Sequence, residues 1–217
     1  MKDKTNGKRL LEVGCGTSYS VRDCLNPLQH SYFYVGTDIA LEPLRTAKKF
    51  IKVGDFVQCV ASEMPFRTSV FDVVLCLGVI HHLPAAEENA LLLSNFVSKN
   101  GYFIAAENML KESSIQHFLS RAFETKFEEQ SPHENGLDKE RFMKNVQKIG
   151  QLVTFHQNYS PVMTLLLYLT GKISRKLVAN RMVLNIIFLL DQLTIKSLGT
   201  RLELLDGGQY FVVVKKK

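Results

Sequence analysis

Several signatures that would settle a function at once are missing from this chain of 217 residues. Its four cysteines (Cys15, Cys24, Cys59 and Cys76) form no Cys-x-x-Cys pair. Three of them lie in or beside apolar stretches, so buried free thiols in a reducing compartment are expected. Residues Met1 to Arg9 are polar and contain no apolar h-region, so no signal peptide is expected and the reading is cytoplasmic. No apolar run reaches the roughly 18 to 20 residues that a spanning helix needs. Basic residues outnumber acidic ones by 27 to 21, a net charge of +6 that suits an anionic substrate or surface. Apart from the terminal Lys215, Lys216 and Lys217 these charges are scattered. No stripe of aromatics and arginines marks a nucleic-acid module, so a nucleic-acid partner is disfavoured. No composition bias toward disorder appears, and the length fits one domain with some elaboration.

Two phosphate-binding loops are also absent. The stretch Leu10-Leu11-Glu12-Val13-Gly14-Cys15-Gly16-Thr17-Ser18 reads as a strand, a tight turn and a helix start. Tyr19 stands where a dinucleotide fingerprint requires its third glycine, and no Gly-Lys-Ser/Thr follows to make a P-loop. Glu12, just before the turn, would repel a pyrophosphate and can instead reach a cationic or hydroxyl-bearing ligand. Gly14 and Gly16 let backbone approach a ligand closely, since a Cβ at either position would intrude. A positively charged cofactor without phosphate fits better; a plain glycine turn is the simpler alternative.

What is present further on alternates strand with helix. Residues 9 to 13 form the first strand, and a helix is expected from Ser18 to about Gln29. Tyr32 to Asp38 form a second strand, aromatic and β-branched, ending in an acid 22 positions after Gly16. In a doubly wound sheet that acid sits at the end of the neighbouring strand, where two carboxylate oxygens can accept both hydroxyls of a ribose. The competing role for Asp38 is the N-cap of a helix over Leu41 to Ile51. A short third strand spans Phe56 to Ala61, and Phe71 to Leu77 is a continuous apolar run, the pattern of a central strand covered on both faces. A helix over 85 to 98, a fifth strand over Gly101 to Glu107, a helix from Lys139 to Ile149 capped by Asp138, a sixth strand over Leu152 to Tyr159 and a last strand over Tyr210 to Val214 follow. This alternation predicts βαβ units and a mostly parallel sheet.

The glycine turn resembles the first motif, E-x-G-x-G, of class I S-adenosylmethionine-dependent methyltransferases. Ala61-Ser62-Glu63-Met64-Pro65-Phe66 resembles the family's D-A-x-x-L-P-F segment, with Val60 in place of the usual acid. Phe71-Asp72-Val73-Val74 followed by His81-His82-Leu83 closely matches its fourth motif, F-D-x-V-x-x-x-x-x-x-H-H-L. The resemblance covers residues 9 to 107 by motif and the remainder more loosely by strand order. It implies an α/β, Rossmann-like, doubly wound, mostly parallel seven-stranded sheet with an antiparallel last strand and helical insertions. It implies S-adenosyl-L-methionine as methyl donor. Glu12, Gly14, Cys15 and Gly16 would frame the methionine end. Asp38 and Ile39 would take the ribose, and Ala61 and Ser62 the adenine through main-chain groups. Leu77, Val79 and His82 would wall the pocket near the sulfonium. The family usually places a helix ahead of the first strand; eight residues precede it here.

Candidates for a proton-accepting group are His81, His82, Glu107 and His133. The adjacent histidines could ligate a metal, but no further Cys, His or acid completes a set, so no metal is expected. In this family the pair recurs irrespective of substrate, which favours a cofactor-lining role. Glu107 falls at the carboxyl edge of the sheet, where it would face substrate or cap a loop. His133 lies on a Pro/Gly-bounded loop, equally readable as surface. The absence of an N/D-P-P-Y/F run after the fourth strand disfavours adenine-N6 or glutamine methylation. The expected organisation is one domain over 1–217, with a cofactor core at 9–107 and substrate or lid insertions at 108–136 and 160–205. Residues 161–200 carry apolar positions 183, 186, 187, 190 and 193 at helical spacing, with a basic rim. A lid or homodimer interface is the plainer reading of that segment. An apolar face with a basic rim also suits peripheral contact with an anionic bilayer or a lipid-linked substrate. The expected acceptor is a small or lipid-linked molecule. The alternatives are a protein or RNA acceptor, or a catalytically silent protein on the same fold.

Overall fold

The computed structural model describes residues 7–19, 21–22, 32–51, 54–110, 137–158, 189 and 207–217. Within them run β1 (Lys8–Val13), β2 (Tyr32–Asp38), α1 (Leu41–Phe50), β3 (Asp55–Gln58), β4 (Phe71–Leu77), α2 (Ala86–Ser94), β5 (Val97–Leu110), α3 (Lys139–Ile149), β6 (Gly150–Asn158) and β7 (Gly207–Lys216). Single 3₁₀ turns at Ala61–Glu63 and Ile80–His82 follow β3 and β4. The seven strands form one sheet in the order β3-β2-β1-β4-β5-β7-β6. Pairing is parallel from β3 through β5 and antiparallel on both sides of β7. This is the mostly parallel, seven-stranded sheet with an antiparallel last strand that the family resemblance implied.

The central strands read as uninterrupted apolar runs because helices and turns cover them. Leu11, Val74, Cys76, Phe103, Val212 and Val214 are completely enclosed. They share one core with Ala90 and Leu93 of α2 and Phe142 and Val146 of α3. Asp138 caps α3 as expected, its Oδ1 accepting the Arg141 N–H at 2.8 Å. α3 is tied to α2 by the Asp138 N–H on Glu87 Oε1 (3.0 Å) and by Asn145 Nδ2 on the Glu87 carbonyl (3.1 Å). Lys216 donates to the carbonyls of Ser94 (3.0 Å) and Val97 (2.9 Å), fastening β7 to the end of α2.

Several boundaries differ from expectation: β6 runs Gly150–Asn158 rather than Leu152 to Tyr159, and β7 runs Gly207–Lys216 rather than Tyr210 to Val214, their long antiparallel pairing extending both. The helix expected over 85–98 stops at Ser94, and Val97 already pairs with Phe71 as the start of β5. A register shift between Phe71 and Val73, with Asn100 at φ 64°, lets the strand resume beside β4. β3 ends at Gln58 rather than Ala61, because one further backbone bond (Cys59 N–H to Asp38 O, 3.1 Å) gives way to a turn closed by Glu63 N–H on Val60 O (3.0 Å). β5 continues past Glu107 to Leu110, paired there with Gly207, so residues 108–110 belong to the sheet and not to an insertion. The expected helix over 18–29 begins with helical residues Tyr19, Val21 and Arg22; its remainder lies outside the described residues.

Candidate active site

The chain crosses from one half of the sheet to the other at β1, whose neighbours are β2 and β4. Connections leave in opposite directions there, and a crevice opens beyond the carboxyl ends of the strands. Four functional segments of the sequence reach that edge: the glycine turn after β1, Asp38 after β2, the turn Ala61–Glu63 after β3, and the loop Gly78–His82 after β4.

Gly14 and Gly16 take φ values of 63° and 52°, left-handed conformations that glycine adopts without strain. Their surroundings differ. A Cβ on Gly14 would lie 2.3 Å from Val79 Cγ2, so this glycine lets the loop after β4 pack directly on the turn. A Cβ on Gly16 would meet no atom within 4 Å, so this glycine faces open space. Beside it, Asp38 Oδ2 accepts the Gly16 N–H at 2.8 Å, while Oδ1 accepts the Ala40 N–H at 2.8 Å. Asp38 is not the side-chain cap of α1: the N-cap is Ala40, and no side chain bonds there. The carboxylate stands between the turn and the start of α1, half-exposed, with Ile39 exposed next to it.

Glu12 is turned under the turn and buried rather than presented to the crevice. Its Oε2 accepts a short hydrogen bond from the Tyr34 hydroxyl, which in turn lies 2.9 Å from Ser18 Oγ. Burial is the main cause that raises the Glu12 carboxyl to about 7; the nearby Asp38 charge adds to it, and the Tyr34 bond works against it. Burial also raises the Tyr34 hydroxyl and pushes the Cys15 thiol up to about 12. Cys15 is therefore an unreactive core thiol beneath the turn, and Cys76 is wholly buried and raised for the same reason. Tyr34 and Ser18 were not singled out in the sequence. The contact follows from the register, in which Glu12 pairs with Gly36 and Tyr34 lies two residues before Gly36 on the same face.

The loop after β4 is built on Glu107. Its carboxylate is buried, with Oε1 accepting the N–H of Val79 (3.1 Å) and Ile80 (3.0 Å). Oε2 faces the His81 N–H (3.4 Å) and His81 Nδ1 (2.7 Å). Glu107 does not face the crevice as a substrate-facing edge residue would; among the described residues its four side-chain hydrogen-bond contacts all go to the loop. His81 is buried, and its ring centroid is 4.0 Å from that of the exposed His82. Leu77 and Val79 are half-buried, Ala61 is half-buried and Ser62 exposed. Val60, at the position of the missing acid, is exposed. His133 and almost all of 161–200 lie outside the described residues. Among the described residues no group of three His, Cys, Asp or Glu side chains could hold a metal, and no helix is long and apolar enough to cross a membrane.

The open glycine turn beside a carboxylate lies at the crossover of a doubly wound α/β sheet, the place where ligands bind in folds of this kind. Residues 11–105, somewhat under half of the chain, match the family model described as "Methyltransferase domain". Its fold is similar to geranyl diphosphate methyltransferase solved with S-adenosylmethionine (11% identity, 97% of this chain and 79% of that one, TM-score 0.63). It is also similar to phosphoethanolamine N-methyltransferase 2 of Haemonchus contortus solved with the same cofactor (15%, 97% and 49%, TM-score 0.60). The [4+2]-cyclase SpnF shares the fold as well (12%, 97% and 75%, TM-score 0.60). In sequence, 108 residues are 29% identical to a highly reducing polyketide synthase, ctvA, of Aspergillus terreus. That match takes in 46% of this chain and 4% of the synthase, so this chain spans a small part of that relative's length.

Proposed function

We propose that the protein transfers the methyl group of S-adenosylmethionine to a small-molecule or lipid-linked acceptor at the carboxyl edge of the sheet. The observation that carries this reading is the open space over Gly16 next to Asp38. A Cβ would fill that cradle, and the carboxylate beside it has two oxygens suited to a ribose diol. When bound, the cofactor supplies a methyl group already activated by the sulfonium charge.

The chain's own residues then position and exclude water. Gly14 and Gly16 bring backbone close to the methionine end, with Glu12 and Cys15 supporting the turn from below. Asp38 and Ile39 serve the ribose. Ala61 and Ser62 serve the adenine, through main-chain groups since Val60 carries no acid. Leu77, Val79 and His82 form the wall nearest the reacting carbon. An acceptor that starts protonated needs a base, and His81, His82 and His133 are the groups available. Geranyl diphosphate methyltransferase and phosphoethanolamine N-methyltransferase, on this fold, act on small molecules by name, which supports that acceptor class. Residues 111–136 and 160–205 are the segments proposed to select the acceptor, with a lid, a homodimer contact or a bilayer contact as their roles.

The [4+2]-cyclase on the same fold favours one second reading, a cofactor-fold protein that does not transfer methyl groups. The separating experiment follows label from methyl-labelled S-adenosylmethionine into geranyl diphosphate, phosphoethanolamine and a lipid extract, with Asp38→Ala as control. Label in any acceptor, lost in the variant, supports methyl transfer. Cofactor binding by calorimetry with no labelled product from any of these acceptors counts for the second reading.

A further inference from the structure

Glu107 is wholly buried, yet among the described residues every hydrogen bond of its carboxylate is with an N–H or ring nitrogen of one loop. A carboxylate is an acceptor at both oxygens, and here Oε1 takes two backbone N–H groups from successive residues. Oε2 lies 3.4 Å from a third backbone N–H and 2.7 Å from His81 Nδ1. With donors on every other side, the nitrogen facing Oε2 has to carry the ring proton for the contact to be attractive. In a neutral imidazole the second nitrogen, Nε2, is then the acceptor. The same carboxylate holds the Val79 N–H, and the Val79 side chain sits where a Gly14 Cβ would be, 2.3 Å away.

We propose that Glu107 is the positioning residue of this site: it clamps Val79 onto the Gly14 turn and holds His81 as the Nδ1–H tautomer, leaving Nε2 as the proton-accepting nitrogen of that ring. This rests on the S-adenosylmethionine site proposed above only for its consequence, not for the tautomer itself. Buried polar groups that orient another residue act through geometry and proton placement, so Glu107 touches no reacting atom on this account.

The test is the ¹⁵N spectrum of the full chain at a pH where imidazoles are neutral, with calorimetric S-adenosylmethionine binding alongside. The wild type should show a protonated, pyrrole-type Nδ1 and a pyridine-type Nε2 at His81. Glu107→Gln places an amide donor against Nδ1, and should invert that tautomer while leaving His82 unchanged. It should also weaken S-adenosylmethionine binding about tenfold. A wild-type His81 carrying its proton on Nε2 overturns the proposal without any variant, as does a folded E107Q protein with the tautomer unmoved. E107Q that inverts the tautomer but binds the cofactor as the wild type does overturns the clamp. A wild-type chain with the expected tautomer that binds no S-adenosylmethionine at millimolar concentration instead sinks the cofactor reading and leaves the Glu107–His81 pair standing.

Discussion

Two glycines separated by one cysteine do different jobs, and substitution separates them. At Gly14 an alanine would suffer both the left-handed φ of 63° and a Cβ 2.3 Å from Val79. The strained backbone costs about 1–2 kcal/mol and overpacking about 1–3 more. Gly14→Ala should therefore lower the denaturation midpoint strongly in urea titration. At Gly16 the φ of 52° remains, but no atom lies within 4 Å of the new methyl. Gly16→Ala should cost only about 1–2 kcal/mol of stability while weakening S-adenosylmethionine binding more than tenfold in calorimetry. Equal cofactor loss in both variants would mean that the open space at Gly16 is not where the ligand sits. Glu12 makes a prediction of the opposite kind. Folded, it keeps its proton to about pH 7, against an ordinary value of 4.5, so the folded state binds more protons in between. Its contribution to stability is complete below about pH 4.5 and is lost as the pH rises through 7. The difference in unfolding free energy between wild type and Glu12→Gln should thus change by about 3 kcal/mol across that window, against the wild type at the high end.

At the scale of elements, α3 shows how a local signal and a tertiary contact meet. Asp138 caps α3, and its own N–H binds Glu87 on α2. Asp138→Ala removes the cap but keeps the backbone bond, so the loss should be about 1 kcal/mol, or roughly 2–4 °C in a thermal melt of a chain this long. Arg141→Ala, which removes the exposed ion pair with Glu88, should change the melt much less. The cap was legible because an acid before an amphipathic run is a local device. The start of β5 was not: Val97–Asn100 continue a helical sequence pattern, and only the pairing of Val97 with Phe71 and the left-handed Asn100 make them a strand. Glu107 was legible as a residue at the sheet edge, facing substrate or serving a loop, but not which loop it holds, because the bonds that decide it span 26 to 28 positions of chain.

For the whole molecule the decisive quantity is linkage between cofactor and folding. S-adenosylmethionine at ~100 times its dissociation constant should stabilise the protein by about 2.7 kcal/mol, a rise of roughly 5–10 °C in a thermal scan. Asp38→Ala should remove that rise, since it takes away both the proposed ribose acceptor and the bond that holds Gly16 N–H. A midpoint unmoved by millimolar cofactor would count against the site as a whole.

The amino-acid sequence determined the strand pattern, the alternation with helices and the placement of Gly14, Gly16, Asp38 and the His81–His82 pair at strand ends. Periodicity and turn chemistry are local properties that a chain carries before it folds. Tertiary structure decided the rest. It put Glu12 beneath the turn onto Tyr34 instead of into the crevice, and gave Asp38 the N–H of Gly16 instead of a helix cap. It made Gly14 a packing site and Gly16 an opening, although both are the same residue in the same kind of turn. It also closed four contacts around Glu107. Each of these depends on which strands become neighbours, and a buried polar group takes the partner that the neighbouring strand delivers, because leaving it unpaired costs more than any local preference gains.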